Sequence, residues 1–436
     1  MQLIKCPTCL FIWIVLVVST RVWGQIDRSD QWDHDLAVVQ QDLPRLHKDL
    51  FFQKDSTWFY AQMNELRRQV HSLSDEDIVI RLQEIVAAMG DSHTWVNGTA
   101  VIHHKATLPL ECFWFKEGLF VLVGERHCQA LVGKRLLEIN GHPVRTILDS
   151  LEQVVALDNE AMKWDRLPRL IRQVPLLRHY GFVQGDTIPV TVQNDEGAPE
   201  TVHVVSQSVR LESDHRVSVR YQPGSWPQGW KHPDSWFWEE WLPADSIYFV
   251  QYNRCWSKEV QRKQGKRKYA TSMPAFKPFA DQVFHTLKTR PVKALVLDLR
   301  FNGGGSSRQG TKLIRQIAAL RPDQQPEKIY VLQGRRTFSS AVINLLDTKK
   351  HLAAIAVGEM TGGKANHFGE VKSFSTPHWK LQIFYSSRYF RFNALNEDSI
   401  QPDLHVMPTF ADYAAGRDSA LDRIREALRD ADLNAE

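Results

Sequence analysis

From residue 246 onward the chain repeats one pattern: a short β-branched or apolar run, a stretch of helical spacing, then another run. The runs fall at residues 246–252, 294–299, 329–332 and 353–357. Strands separated by helices bury both kinds of apolar surface most readily as a sheet with helices layered on it, so this part predicts an α/β unit. Residues 418–430 carry Leu421, Ile424 and Leu428 on one stripe and close the series as an amphipathic helix.

At 436 residues the chain is long enough for more than one unit. Residues 31–90 read as helices, with stripes of Leu36, Val39, Leu43, Leu46 and of Phe59, Met63, Leu66, Val70. A third helix opens at Ser74 and stops at Gly90, directly before Asp91-Ser92-His93-Thr94. Residues 105–205 change to short strands: a hairpin turning at Glu117-Gly118, a strand over 135–139 ending at Asn140-Gly141, and a pair over 187–193 and 201–205. That middle part predicts a small β-rich module.

The N-terminus has Lys5, then an apolar run over 10–18 too short to span a bilayer comfortably, then a cleavage position ahead of Gln25. It reads as a signal peptide, residues 1–24, with an uncleaved anchor as the rival, and implies export. Cleavage removes Lys5 and Arg21 and no acid, so the net charge falls from +4 to +2. Near-balance points away from polyanion partners. The cluster Arg262, Lys263, Lys266, Arg267, Lys268 has no interleaved aromatics and reads as a solvated loop, not a nucleic-acid site. Cys112, Cys128 and Cys255 remain, and the first two could pair across a hairpin. None has zinc-ligand spacing with a histidine, so no metal is called for. His103-His104 and His367 read as satisfied polar residues, and Trp226, Trp230, Trp236, Trp238 and Trp241 as packing of an insertion, with a substrate groove as the alternative.

Two segments carry chemistry. In VLDLRFNGGGSS (296–307) a buried strand ends, glycines allow tight backbone, and a helix starts near Ser306. Free N–H groups there could hold a phosphate, but no phosphate-loop pattern is present; an oxyanion hole or a plain turn remain. In YVLQGRRTFSSAVINLL (330–346) Ser339 or Ser340 heads a helix, where a serine is ordinarily a cap. After the next strand, Gly358-Glu359-Met360-Thr361-Gly362-Gly363-Lys364 offers a lysine that could return to that helix as a base.

DLRFNGGG, TFSSA and GEMTGGK, in that order, resemble the catalytic core of the tail-specific (C-terminal processing) serine peptidases. The resemblance implies Ser339 as nucleophile, Lys364, 25 residues on, as base, and an oxyanion hole from Gly303, Gly304 and the Ser340 N–H. In the tricorn-core-like branch, which includes relatives of the interphotoreceptor retinoid-binding protein, a histidine and a glutamate serve the serine instead. His93 and Glu397 match those two, so both a Ser339–Lys364 dyad and a His93–Ser339–Glu397 arrangement are open, with Lys364 the closer match. Val342 stands where dyad peptidases carry a glutamate; Met360 and Ala365 also depart from the commonest forms. LVGKRLLEINGHPV is similar to the family's PDZ-like module. The implied organisation is a helical segment (25–100), a PDZ-like module (101–206) and a crotonase-like αβ catalytic domain (207–436). The implied partner is a peptide or protein substrate, taken near its C-terminus, with no cofactor. An esterase, or a non-catalytic apolar-ligand carrier of the same fold, is the alternative.

Overall fold

The computed structural model describes residues 27–102, 106–207, 216–219 and 226–433. The signal-peptide reading of residues 1–24 and the His103-His104 pair lie outside the described residues. Among those described, no helix is long and apolar enough to cross a membrane.

The architecture is mixed α/β with three sheets. The largest α/β layer is six-stranded, in the order Leu404–His405, Ile355–Gly358, Lys328–Gln333, Ala294–Asp298, Ile247–Tyr252, Phe237–Leu242. The first five run parallel and the last pairs antiparallel. Alternation along the strands gives each face its own core. Tyr248, Val250, Leu295, Leu297 and Val331 pack against the helices Phe276–Thr289, Ser307–Ala318 and Ser340–Leu352. Ile247, Phe249, Val296, Tyr330 and Leu332 face the C-terminal helix Ser419–Leu433 through Leu421, Ile424 and Leu428. Each of those three leucine-sized side chains contributes about 1.5–3 kcal/mol by leaving water.

The middle part forms an antiparallel sheet around Leu110–Phe115, Gly118–Glu125, Arg135–Ile139, Thr187–Gln193 and Pro199–Val205. Asn140 (φ 51°) and Gly141 (φ 74°) make the left-handed turn after Arg135–Ile139, the conformation that favours Asn-Gly. Cys112 and Cys128, which hairpin spacing would allow to pair, are both free, as is Cys255. Cys112 lies opposite Val121 across the hairpin, whereas Cys128 sits beyond it in the turn Arg126–Leu131, packed near Gly124.

The helices Arg28–Leu46, Ser56–Gln69 and Asp75–Ala88 bury Trp32, Leu36, Phe59 and Met63. The third is capped by Ser74, which accepts from the Asp77 N–H at 3.0 Å. Their core is completed from far along the chain, by Leu381, Ile383 and Tyr385 of the hairpin His367–Ser375 and Gln382–Phe390. The strand Trp95–Asn97 pairs with that hairpin, tying the turn at His93 to the region just after Lys364. The basic cluster 262–268 is exposed, on the short helices Lys258–Lys263 and Arg267–Ala270 instead of a loop.

Candidate active site

Loops that follow the parallel strands leave at their carboxyl ends, where α/β sheets place ligands. Ser339 lies in the loop after Lys328–Gln333 and caps the helix Ser340–Leu352. Its backbone, at φ 54° and ψ −123°, occupies a region that costs a side-chain-bearing residue about 1–3 kcal/mol. Such a strand-to-helix turn lifts a serine hydroxyl away from the chain. The turn is held from several sides. Thr337 donates to the Leu299 carbonyl (2.9 Å) and accepts from the Gly334 N–H (3.0 Å). Arg335 grips Glu359 and donates to the Trp114 carbonyl (2.7 Å). The Gly363 N–H donates to the Thr337 carbonyl at 3.1 Å. A Cβ on Gly362 would stand 2.0 Å from the Arg335 carbonyl oxygen, so the GEMTGGK loop needs glycine to come this close. Val342 is fully buried beside Gly363.

The glycine turn after Ala294–Asp298 reaches the same place. Gly304, at φ 99°, is pressed so close that a Cβ would lie 2.9 Å from that of Ser339. Its N–H donates to Asn302 Oδ1 at 2.9 Å, so in this conformation Gly304 supplies space beside Ser339 while its N–H is engaged. Gly303 is exposed, with nothing within 4 Å of where a Cβ would stand. The Ser340 N–H begins a helix and has no acceptor within it.

The three other residues singled out with Ser339 are placed differently. Lys364 Nζ lies 3.0 Å from Asp398 Oδ1, with 28% of the lysine side chain exposed. Glu397 is exposed and makes no hydrogen bond to His93. His93 is buried; its ring stacks on Phe338 (4.2 Å, 20°), the residue before Ser339, and on His367 (5.3 Å, 13°). Neither nitrogen of His93 has a hydrogen-bond partner. Neither the Ser339–Lys364 bond nor the His93–Ser339–Glu397 chain is formed in this conformation.

Burial drives the His93 pKa down to about 3, against the pull of the nearby Asp91 carboxylate, so the imidazole is neutral near pH 7. Asp91 organises the turn: it accepts from the His93 N–H (3.0 Å), Thr94 Oγ1 (2.5 Å) and His47 Nε2 (2.9 Å). The Asp49 N–H donates to His47 Nδ1 at 3.0 Å, which leaves the His47 proton on Nε2 for Asp91. These bonds outweigh burial and hold Asp91 ionised, at about 2. Asp158 is the opposite case. Its Oδ2 is buried without a partner, and burial pushes the carboxyl up to about 6 despite the Ser92 hydroxyl and the charges of Lys364 and Arg166. Arg166 donates to the Ser92 and Ala156 carbonyls and lies over the Phe338 ring at 5.1 Å. His367 Nδ1 donates to the Lys364 carbonyl at 3.0 Å.

A cavity of about 1900 Å³ opens beside the glycine turn, lined by Gly303, Gly304, Arg336, Trp226, Trp230 and Trp256 among others. The tryptophan cluster therefore divides. Trp226 and Trp230 face the cavity, while Trp238 packs on Phe249 and Trp241 on the sheet core.

No family model and no curated protein matches the chain. Solved structures do match. Mature CPAF complexed with lactacystin aligns over 92% of this chain and 98% of that chain, with a TM-score of 0.65 at 14% identity. A second structure of mature CPAF covers 91% and 96%, with a TM-score of 0.61 at 13% identity. The protein has the fold of mature CPAF. Within that fold, His47, Asp91 and Asp158 cluster at the His93 turn and Arg166 lies over Phe338 beside Ser339, and none of the four was singled out by a role in the sequence. Only Asp91 gave a signal, as the first residue of the Asp-Ser-His-Thr turn.

Proposed function

We infer that the protein is an exported serine peptidase of the tail-specific type, with Ser339 as nucleophile. The observation that carries this reading is the strained Ser339 backbone at the head of its helix, with Gly304 against it. The order of the three motifs and the CPAF fold agree with it. On this reading Ser339 Oγ attacks a peptide carbonyl, and the Gly303 and Ser340 N–H groups receive the oxyanion. The leaving amine takes up the proton, and water then hydrolyses the acyl-enzyme. The six-stranded unit is read as the crotonase-like core. The sheet of residues 101–206 is read as a PDZ-like module that delivers C-terminal tails by strand addition.

Of the two bases, the surroundings favour His93 over Lys364. Lys364 is taken up by its ion pair with Asp398 and would have to leave that carboxylate to reach Ser339. The buried His93 is neutral, carries an unused lone pair, and adjoins Phe338. Rotation of the Ser339 turn would bring hydroxyl and imidazole together, and Asp91 would counter the imidazolium that forms. Glu397 would have to turn inward to take part.

The test is labelling of the mature protein with a fluorophosphonate, read by peptide mass spectrometry, in wild type, Ser339→Ala, His93→Ala and Lys364→Ala. The expected result is a label on Ser339 that is lost in the first two variants and kept in the third. A folded wild type that takes no label, and cleaves neither peptide nor ester substrates, sinks the reading.

A further inference from the structure

Arginines outnumber carboxylates along the wall of the large cavity. Most are matched. Arg300 is paired with Asp298 and Asp418, Arg335 with Glu359, Arg169 with Asp165, Arg417 with Asp412, and Arg172 and Arg216 with Glu111. Two differ. Among the described residues, neither Arg254 nor Arg336 has an ion pair or a side-chain hydrogen bond. Both line the cavity that opens beside the glycine turn. Arg336 is in the same turn as Ser339, three residues earlier. Arg254 precedes Cys255, whose N–H donates to the Gly304 carbonyl at 3.0 Å and whose carbonyl accepts from the Ser306 N–H at 2.7 Å. The Arg254 guanidinium is steadied over the Trp236 ring at 5.4 Å.

A guanidinium cannot shed its proton, so one that is partly withdrawn from water normally finds a carboxylate. Arg336 is half-buried, and the charges around it are Arg169, Arg254 and one acid, Asp165, which Arg169 already holds. Burial first, and then the two like charges, set its pKa below the ordinary arginine value. The missing negative charge is one that an entering ligand would bring, and the planar fork of arginine suits a carboxylate.

We propose that Arg336 and Arg254 form a carboxylate-binding subsite beside Ser339, which selects peptides with an acidic group within a few residues of the cleaved bond. This rests on the peptidase reading for the nature of the occupant. The acidic group is an Asp or Glu side chain.

The test uses full-length Ser339→Ala protein, so that peptides bind without turnover. Peptides identical but for Glu or Gln at each position, and with a C-terminal acid or amide, are titrated by tryptophan fluorescence. The expected result is binding roughly tenfold tighter for the acidic member of one pair, about 1.4 kcal/mol, from the charge-assisted contact it gains. The gap closes when Arg336→Gln or Arg254→Gln is added, and narrows with salt. A gap in a Glu/Gln pair places the carboxylate, and a gap confined to the acid/amide pair overturns the proposal. Equal binding within all pairs, no binding of any peptide, or a gap that survives both variants overturns the proposal. Arg254 is exposed and hydrogen-bonds nothing through its side chain, so its variant covers the case in which Arg336→Gln fails to fold. Failure of the wild type to cleave any peptide that binds would instead sink the peptidase reading and leave the subsite standing.

Discussion

Just beyond the strand Ala294–Asp298, Arg300 donates to Asp298 and, through both terminal nitrogens, to Asp418. The two acids are completed by Gln251 and by the Gly229 N–H, so the buried charges have partners on every side. Around the Ser339 turn, by contrast, His93 has two unpartnered nitrogens and Asp158 an unpartnered oxygen. Both clusters are buried, yet one is saturated and the other open. A saturated cluster has nothing left to offer a ligand, and its worth lies in fixing the C-terminal helix against the sheet. An open one costs stability and keeps lone pairs ready. The DLR motif thus supplies scaffolding through Arg300, while Gly304, which follows it, lies against Ser339.

The largest effect expected from breaking this contrast is on the open side. His93→Ala should lower turnover of a cleaved peptide by between roughly 10² and 10⁴, the range for a lost general base, with the circular dichroism of the fold unchanged. Lys364→Ala should cost less than about tenfold by the same measure. The pH profile separates the two bases independently. With a pKa near 3 in the resting protein, His93 is in its basic form throughout the neutral range, so activity should be flat from about pH 8 down to mildly acid conditions. A lysine base would instead give activity that climbs into alkaline pH, where an ordinary ammonium group loses its proton.

On the saturated side, removing one partner strands a charge. Asp418→Ala leaves Arg300 with Asp298 alone and takes the cap from Leu421 and the acceptor from Gly229. A loss of about 3 kcal/mol in urea unfolding is expected, toward the low end for a broken buried pair because Asp298 remains. A variant as stable as the wild type would show that the cluster is not the clamp described here.

Much of this was written in local sequence. Four of the six strands of that sheet fell within about two residues of the apolar runs, because buried parallel strands are continuous in β-branched residues; the edge strands Phe237–Leu242 and Leu404–His405 did not show as runs. Asn140-Gly141, Gly90 and Ser74 marked their turns and caps through backbone preferences that need no tertiary context. The hairpin His367–Ser375 with Gln382–Phe390 was missed: its exposed residues break the alternation, and its role is to complete a core formed some 300 residues earlier (367 less 66, from His367 back to Leu66). Ser339 was legible because a motif surrounds it. Asp158 and Arg166 were not, since what distinguishes them is the low-dielectric space they share with residues 92–93 and 338, and no spacing encodes that. That Cys112 and Cys128 do not pair has a related reason. Hairpin spacing puts residues on facing strands only if both belong to strands, and Cys128 belongs to the turn beyond.

The smallest effect sharpens the contrast most, because it runs against the usual direction of a mutation. Asp158 has its pKa raised from 3.8 to about 6 in the folded chain. The folded state therefore binds this proton more readily than the unfolded state, and stability falls as pH rises from about 4 to about 6, then stays level. The whole displacement corresponds to roughly 3 kcal/mol, part of which the loss of the Ser92 hydroxyl contact would offset. Asp158→Asn should therefore stabilise the protein by about 1–2 kcal/mol at pH 8 and by almost nothing at pH 4. Urea unfolding at the two pH values measures both. A gain confined to high pH, together with altered turnover, would mean that the open cluster keeps a destabilising carboxylate for its effect on Lys364 and the Ser92-His93 turn. A loss of stability at both pH values would make Asp158 a saturated scaffold residue like Asp418, and the distinction between the two clusters would fall with it.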